Sequence, residues 1–440
     1  MTQTLPESPG NRILFLDNIR YLMIVLVVLF HAAASYGTFG RYWFVGDAVA
    51  NIRFFDIITI TVIDVLALPV LFFIASYFAL PNIQKKGPGV FLKDKFMRLG
   101  IPWLICVIFI CPIMSYIHHY RHLGEESLLS YGQLWIKWMQ SASEFHTGFL
   151  YPNLFTIGKL DDPKIIGFNL LSFNQTAYWF ISLLLFFFII FSIIYTLKKR
   201  FFPSSSIKEK THSGKTMLLV MLSVGLLCTI MTVIINRIPY NQPAPWDWVV
   251  IAGVLQFQPG RLPVYIIYFA LGIYAFSRKW FVRDNNFPGH PLLWISICVI
   301  LWFGFLIIGS KLLSNVSNLT NTRLMIIFLF LWCFLLATFL IVFTSIAFRY
   351  WNRPHKINET LAANSYNIYL VHLPLVVFLQ LLLVNLVGTS SLVKFGIVSS
   401  LSFLMSYAIS RYAIKPHPRL SVAAVVVIFL LMVIFVYPRA

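Results

Sequence analysis

Long apolar runs separated by polar connections follow one another along the whole chain. A helix needs about 20 apolar residues to cross the hydrocarbon core of a bilayer, and eleven runs approach or exceed that length. The pattern predicts an all-α fold, a polytopic transmembrane helix bundle of about eleven spans. The predicted spans are residues 14–36, 57–80, 99–117, 178–197, 216–235, 261–277, 291–309, 324–347, 365–387, 392–411 and 419–437. A further apolar run, 246–257, is too short to span and predicts a re-entrant or interfacial segment.

The composition agrees with a membrane protein. The chain has 440 residues, of which 59% are hydrophobic and 11% charged, and its mean hydropathy is +0.80. Soluble domains carry about 25% charged residues, and the spans use nearly the whole chain. We therefore expect a single transmembrane domain over residues 1–440 and no soluble domain, with the last helix, about 419–437, as an addition at its C-terminus.

The net charge of +19 can be explained by the distribution of basic residues among the loops of a membrane protein. Lys and Arg are frequent in alternate predicted loops, namely 81–98, 198–215, 278–290, 348–364 and 412–418. Cytoplasmic loops of membrane proteins are enriched in these residues, so the pattern predicts a cytoplasmic N-terminus and an outer C-terminus. No basic-aromatic motif of a nucleic-acid-binding domain is present, which argues against a nucleic-acid partner.

The predicted outer loop 118–177 is far longer than an ordinary connection. Its histidines and tryptophans are His118, His119, His122, His146, Trp135 and Trp138. Aromatic side chains with polar neighbours suit stacking on sugar rings, and an interfacial aromatic belt with short amphipathic helices explains them equally well. Acidic or cysteine partners do not recur here at metal-ligand spacing, so we expect no metal.

The five cysteines lie in or beside apolar segments and form no C-x-x-C pair. They are Cys106, Cys111, Cys228, Cys298 and Cys333. This distribution predicts apolar packing rather than a disulfide framework or a metal site.

Three ionisable residues fall in the first predicted span: Asp17, Arg20 and His31. Ionisable groups within a span are costly and usually face a protein interior or an aqueous cavity. At about 100° per residue, the eleven steps from Arg20 to His31 return to nearly the same helix face, and Asp17 joins it. The two side chains then lie roughly 16 Å apart along the axis. The span predicts a polar path across about half of the bilayer.

The two ends of this path suit different chemistry. Arg20 offers a permanently charged fork of donors that suits phosphate, and His31 can take a proton near neutral pH. The alternative is a snorkelling arginine and a hydrogen-bonded structural histidine. The first predicted span also resembles a cleavable signal peptide in its charge and apolar length. Asp17 and His31 interrupt it, however, and many spans follow, so we expect it to be retained.

Polar side chains in other predicted spans are candidate substrate-binding residues, since such groups usually face a cavity. Asp56 lies at the outer end of the second span, Asp64 lies in its upper part, and Ser76 lies near its inner end. Arg261 opens the sixth span at the outer side.

Two further pairs complete the set of candidates. Lys95 and Arg98 stand at the start of the third span, where the excess of positive charge on the cytoplasmic side explains basic residues as well as a binding role does. Tyr369 and His372 lie on the inner half of the ninth span, three residues apart and so on neighbouring faces. A packed, hydrogen-bonded histidine is the alternative for His372.

Five segments resemble, in order, the motifs of the membrane acyltransferase 3 family. They are Leu16-Asp17-x-x-Arg20-x10-His31, Phe72-Phe73-Ile74-Ala75-Ser76-Tyr77-Phe78, Lys95-x-x-Arg98-Leu-Gly-Ile-Pro102, Trp179-Phe180-Ile-Ser-Leu-Leu and Asn364-Ser-Tyr-Asn-Ile-Tyr369-Leu-Val-His372. Tyr77 stands where the family motif has glycine, and an eleventh helix exceeds the family's usual ten. The overall look is similar to the bacterial glucan-modifying succinyltransferase branch.

The resemblance implies transfer of an acetyl or succinyl group from cytoplasmic acyl-CoA, either acetyl-CoA or succinyl-CoA, to a hydroxyl of an extracytoplasmic acceptor such as a glycan. It also implies a multi-pass protein of a bacterial inner membrane. His31 would be the catalytic base, and Asp17 would belong to the catalytic group either directly or by positioning Arg20. Arg20, Lys95 and Arg98 would bind the phosphates of CoA, and Tyr369 and His372 would complete the donor site.

Several alternatives stay open at this point. His31 can act as a base on the acceptor hydroxyl, or as a nucleophile that forms an acyl-His31 intermediate. A transporter would use the polar residues of the first and ninth spans as a relay. Transporters often consist of two similar halves with interrupted helices at corresponding positions, and the sequence shows no such symmetry. A membrane scaffold would leave the charges of the first span unexplained, and the oligomeric state does not follow from the sequence.

Overall fold

The structure is a computed structural model. It describes residues 13–37, 43–47, 53–59, 64–122, 129–143, 146–148, 173–202, 214–237, 248–281, 290–314, 321–386 and 388–437.

The described chain is mainly helical. Its α-helices are α1 (Leu14–Ala33), α2 (Arg53–Ile58), α3 (Asp64–Tyr77), α4 (Ala79–Lys86), α5 (Pro88–Lys95), α6 (Ile101–Ile105), α7 (Cys111–His122), α8 (Tyr131–Gln140), α9 (Trp179–Phe201), α10 (Gly214–Arg237), α11 (Leu262–Ser277), α12 (Pro291–Leu313), α13 (Thr322–Tyr350), α14 (Lys356–Leu383), α15 (Ser391–Ile409) and α16 (Pro418–Phe435). Phe96–Gly100, Cys106–Ile110 and Ser410–Ile414 are π-helical, and Ser141–Ser143 and Thr176–Tyr178 are 3-10 turns. Three short strands, β1 (His146–Gly148), β2 (Trp248–Ile251) and β3 (Leu255–Phe257), form one antiparallel sheet in that order.

The predicted helical membrane fold is confirmed. Within the described ranges, ten helical segments are long and apolar enough to cross a bilayer. The remaining predicted span, 261–277, corresponds to α11, which has only 16 residues. At ~1.5 Å per residue that is about 24 Å, somewhat less than a full hydrocarbon core. The direction of the bundle in the membrane stays a prediction.

The second predicted span, 57–80, was wrong at both ends. The apolar segment that is long enough to cross is Leu66–Lys86, and Asp56 belongs to the separate short helix α2. The loop predicted at 81–98 is helical on both sides of Gly87, whose φ of +77° favours glycine. The apolar count misplaced these boundaries because helices can continue into basic, solvated segments.

The short apolar run 246–257, predicted as re-entrant or interfacial, contains a β-hairpin over its described part. Strands β2 and β3 pair antiparallel, with Val250 opposite Gln256. The turn between them uses left-handed residues, Ala252 at φ 49° and Gly253 at φ 64°. Paired strands satisfy their own backbone groups, and Gln256 is buried beneath the hairpin.

The described part of the predicted outer loop includes the amphipathic helix α8. Ser130 and Gln133 form a reciprocal capping box at its start, which satisfies two backbone donors. Its buried face packs against the C-terminal helix, where the ring of Phe429 contacts those of Tyr131 and Trp135 at 5.8 and 5.2 Å. The last predicted span is therefore attached to the bundle by aromatic contacts near its C-terminal end.

Helices α3 and α11 approach each other very closely at Gly272. A Cβ atom placed there would lie 2.1 Å from Ser76 Oγ and 2.2 Å from the carbonyl oxygen of Phe73. Glycine allows such close approach of two backbones inside a membrane, where packing rather than water exclusion holds helices together. Gly272 therefore sets the separation of these two helices.

We expect Gly272→Ala to destabilise the protein by about 1–3 kcal/mol, because the backbone of α3 must move to admit the methyl group. The matched control is Gly396→Ala in α15, where a Cβ would meet no atom within 4 Å. Thermal unfolding of both variants in the same detergent checks this prediction. Equal midpoints for the two variants would contradict it.

Candidate active site

The first and ninth predicted spans, α1 and α14, lie side by side and run in the same direction. Tyr21 donates a hydrogen bond to Asn358 at 2.9 Å, and further along both helices His31 and His372 are joined at 2.9 Å. The site is built on two long, adjacent helices.

The hydrogen bonds of the histidine pair determine its tautomers. Nδ1 of His372 lies 2.6 Å from the carbonyl oxygen of Tyr369, which can only accept, so Nδ1 carries the proton. Nε2 of His372 is then an acceptor, and it receives a hydrogen bond from Nδ1 of His31. This leaves the lone pair of His31 on Nε2, the ring atom that can take a proton from another molecule.

Burial separates the two rings by role. His372 is fully buried, at 0% exposure, whereas His31 is partly exposed. His31 is therefore the more accessible member of the pair. His372 was predicted on the inner half of its span, but α14 begins at Lys356, nine residues before the predicted start. The earlier start moves His372 to the level of His31.

A proline near His372 is compensated by a neighbouring turn. Pro374 lies inside α14 and has no N–H to donate to the carbonyl of Leu370. The hydroxyl of Tyr178 donates to that carbonyl at 2.7 Å, and the hydroxyl of Tyr369 donates in return to the carbonyl of Ala177. This reciprocal pair fixes the part of α14 next to His372 to the 3-10 turn Thr176–Tyr178. Tyr369 thus lies beside the histidine pair.

Asp17 and Arg20 form an ion pair at the other end of α1. The guanidinium Nη2 of Arg20 lies 2.9 Å from Oδ1 of Asp17 and donates to the carbonyl of Ala362 at 3.2 Å. Arg20 and His31 thus both contact α14, which agrees with the prediction that they share one face of α1. Asp17 precedes His31 by fourteen residues, roughly 21 Å along the axis. Its contact orients Arg20, and it does not reach the histidine pair.

Lys95 and Arg98 extend the positive charge around Arg20. Lys95 is partly buried with its ammonium 4.1 Å from the ring centre of Phe188, and Arg98 is exposed in the π-helical turn after α5. The charges of Arg98 and Arg20 both act on Lys95. The three predicted phosphate-binding residues therefore form one basic group, which can attract an anionic ligand.

Asp56 and Asp64 are the two acidic residues that were predicted to bind substrate. Asp56, in α2, approaches the turn after α1, because a Cβ at Gly37 would lie 2.2 Å from its Oδ1. It is thus near the end of the helix that carries His31. The side chain of Asp64, at the start of α3, lies outside the described residues.

The other two predicted substrate-binding residues are built into helix packing and a helix end. Ser76 is fully buried, donates to the carbonyl of Phe73 at 3.0 Å and faces Gly272. Arg261 immediately precedes α11 and its carbonyl accepts the first hydrogen bonds of that helix. Neither is joined to the histidine pair by the contacts above.

The histidines of the predicted outer loop have structural contacts. Nε2 of His119 accepts from the backbone N–H of Leu129 at 3.2 Å, and the ring of His118 packs edge-on against Phe44. The side chains of His122 and His146 lie outside the described residues. Over the part of the chain that the structure describes, no group of three His, Cys, Asp or Glu side chains could hold a metal ion.

A buried ion pair near the site did not follow from the sequence. Nζ of Lys394 lies 2.7 Å from Oδ2 of Asp47, and the two side chains are 1% and 2% exposed. Tyr36 lies just after the end of α1, close to this ion pair. Burial raises the pKa of its hydroxyl, and the negative charge of Asp47 raises it further. A lysine within the predicted span 392–411 indicates a buried charge that needs a partner. The sequence could not identify that partner, which is 347 residues away.

The geometry thus places on α1 both the partly exposed His31 and, at the other end, Arg20, which belongs to the separate basic group. The Acyl_transf_3 family model, described as an acyltransferase domain, matches residues 13–437, which include the C-terminal helix α16. No curated protein and no solved structure matches the chain. The match covers nearly the whole chain and favours an enzyme over a transporter. The chain belongs to the membrane acyltransferase 3 family and is a multi-pass integral membrane acyltransferase.

Proposed function

We propose that this protein transfers an acetyl or succinyl group from cytoplasmic acyl-CoA to a hydroxyl of an extracytoplasmic glycan, across a bacterial inner membrane. The observation that carries the proposal is the hydrogen-bonded pair of His31 and His372. The pair leaves a basic nitrogen on the reachable ring, roughly 16 Å along α1 from Arg20. One helix then serves both the donor and the acceptor.

The reaction uses His31 as a general base. Nε2 of His31 removes the proton of the acceptor hydroxyl, and the oxygen attacks the thioester carbonyl carbon. The C–S bond then breaks, the acyl group stays on the acceptor oxygen, and the CoA sulfur leaves with the proton that His31 returns. Nε2 of His372 accepts the Nδ1–H of His31, which holds the His31 imidazole in place and stabilises the positive charge that develops on it.

The donor is held by its phosphates at the basic group of Arg20, Lys95 and Arg98. Arginine forks match phosphate geometry, and Lys95 adds a point charge beside them. The extended arm of CoA carries the thioester from this group toward His31. With the N-terminus in the cytoplasm, as the loop charges predict, the arm reaches outward along α1.

A covalent route through an acyl-His31 intermediate uses the same nitrogen as a nucleophile. The two routes differ in what remains when donor is supplied without acceptor. Peptide mass spectrometry after incubation with acetyl-CoA alone detects an acetyl group on His31 in the covalent route. The direct route leaves His31 unmodified.

The donor assignment predicts stabilisation by CoA and acetyl-CoA. At a ligand concentration 100 times the dissociation constant, binding adds about 2.7 kcal/mol to folding stability. We expect Arg98→Gln to lose most of the resulting rise in melting temperature, and high salt to reduce it in the native protein. Lys415→Gln is the matched control, since Lys415 is an exposed basic residue of another predicted cytoplasmic loop.

Thermal unfolding in detergent, with and without acetyl-CoA, measures this effect. A native protein that acetyl-CoA does not stabilise would contradict the donor assignment. Mass spectrometry of surface glycans from cells with and without the protein then identifies the acyl group and the acceptor. Glycans of unchanged mass would contradict the acceptor assignment.

A further inference from the structure

The last turn of α1 is capped by a side chain from α14. The final carbonyls of a helix have no partner within it, and His31 stands in this turn. The amide Nε2 of Gln380 donates to the carbonyl of His31 at 3.1 Å and to that of Ala32 at 3.2 Å. Gln380 is 2% exposed, so these bonds are sheltered from water. The backbone of His31 itself is therefore held by the helix that carries His372.

The same glutamine holds an indole ring against His31. Oε1 of Gln380 accepts a hydrogen bond from Nε1 of Trp43 at 2.8 Å. The Trp43 ring stacks on the His31 ring, with centroids 5.7 Å apart and planes inclined by 21°. The contacts form a closed circuit from the backbone of His31, through Gln380 and Trp43, to the imidazole of His31.

The orientation of the Gln380 amide is determined by its partners. An indole N–H can only donate, so it must meet the amide oxygen, and backbone carbonyls can only accept, so they must meet the amide nitrogen. A flipped amide would lose all three hydrogen bonds at once. Both polar groups of the Gln380 amide therefore have partners of the complementary kind.

The segment that carries Trp43 is itself anchored. Asp47 forms the buried ion pair with Lys394 at 2.7 Å, and the hydroxyl of Ser35 donates to the carbonyl of Val45. The backbone N–H of Asp47 also donates to the carbonyl of Ser35 at 3.2 Å. The segment that carries Trp43 is therefore held by the turn after α1 and by α15, and this fixes the Trp43 ring against His31.

We propose that Trp43 and Gln380 are positioning residues for the base His31, a role that rests on the function proposed above. His372 binds one edge of the imidazole, Trp43 covers one face, and Gln380 holds the backbone. Among the contacts of the described residues, this arrangement leaves Nε2 as the edge of the ring with no hydrogen-bond partner, and it fixes the direction of that edge. A reacting group held within a few tenths of an ångström reacts far faster than a loosely held one.

Two variants separate the parts of this arrangement. Trp43→Phe keeps an aromatic ring beside His31 and removes the N–H that Gln380 accepts. Gln380→Met keeps a similar volume and removes both the donor and the acceptor. Trp332→Phe is the matched control, since Trp332 is also 6% exposed and lies in α13.

The first measurement is the incorporation of radiolabelled acyl groups from acetyl-CoA and from succinyl-CoA in native membranes, which supply the acceptor. We expect kcat to fall by about 10- to 100-fold in both variants. KM for acetyl-CoA should be unchanged, because the basic donor group lies at the other end of α1. Trp332→Phe should keep the native kcat, and a kcat equal to the control in both variants overturns the proposal.

The second measurement does not depend on activity. Diethyl pyrocarbonate modifies unprotonated histidine nitrogens, and peptide mass spectrometry gives a separate rate for His31 and for His372. In both variants we expect His31 to be modified several times faster as its ring gains freedom, with no change at His372.

The combined outcomes separate the two proposals. An unchanged rate at His31, or an equal rise at His372, overturns the positioning role, because the contacts would then support the helices generally. A faster rate at His31 in a protein that transfers no acyl group from either acetyl-CoA or succinyl-CoA upholds the positioning contacts and overturns the proposed function.

Discussion

Replacing His31 with glutamine is expected to lower the rate of acyl transfer by about 10²–10⁴-fold, the usual contribution of a general base. The glutamine amide can still donate to Nε2 of His372, so the buried histidine keeps a partner. It cannot take a proton from a hydroxyl near neutral pH. His31→Ala should abolish transfer as well, but it also removes that donor, which can cost about 1–3 kcal/mol.

The control for this experiment is His119→Gln. His119 is a buried histidine that accepts a hydrogen bond from the backbone of Leu129, away from the histidine pair. Acyl groups on surface glycans are measured by mass spectrometry in cells that produce each variant at equal level, and thermal unfolding reports folding. Native acylation in both His31 variants would remove His31 from the chemistry.

The second large effect concerns the buried ion pair of Asp47 and Lys394. Lys394→Met leaves the carboxylate of Asp47 without its charge partner in an almost water-free place, and we expect a loss of about 3–5 kcal/mol. Asp47→Asn leaves the ammonium uncompensated and should cost a similar amount. The double variant Asp47→Asn with Lys394→Met has no buried charge and should be more stable than either single variant.

The chain contains a matched exposed pair. Lys86 and Asp94 also form an ion pair, but their side chains are 36% and 37% exposed. Lys86→Met should cost at most about 1 kcal/mol, because water already screens that pair. Thermal unfolding of the whole set in one detergent decides the matter. Additive effects of the two buried substitutions would show that Asp47 and Lys394 do not stabilise each other.

Some failures of sequence-based prediction have a common cause, which is that apolar counting measures length and not geometry. The run 57–80 was continuous in composition, yet its first residues form α2 and the crossing segment begins at Leu66. The run 246–257 was predicted as a re-entrant or interfacial segment, and the apolar count did not show that its described residues pair as a hairpin. His372 was assigned the wrong depth because the polar first turns of α14 escaped the count.

The sequence by itself determined the class of fold, most of the spans and the helical stripe that joins Arg20 to His31. These features depend on local periodicity and on the cost of a charge in a bilayer, which a chain carries in its order of residues. Its motifs also pointed to the acyltransferase family, which the match over 13–437 establishes.

The tertiary structure alone decided which groups meet. The proton positions of His31 and His372 follow from one carbonyl, that of Tyr369, and Gln380 reaches His31 across 349 residues of chain. Hydrogen-bond partners of this kind depend on the level at which two helices pack and on the side chains that close the gap between them. Both are properties of the assembled bundle and leave no periodic trace in the sequence.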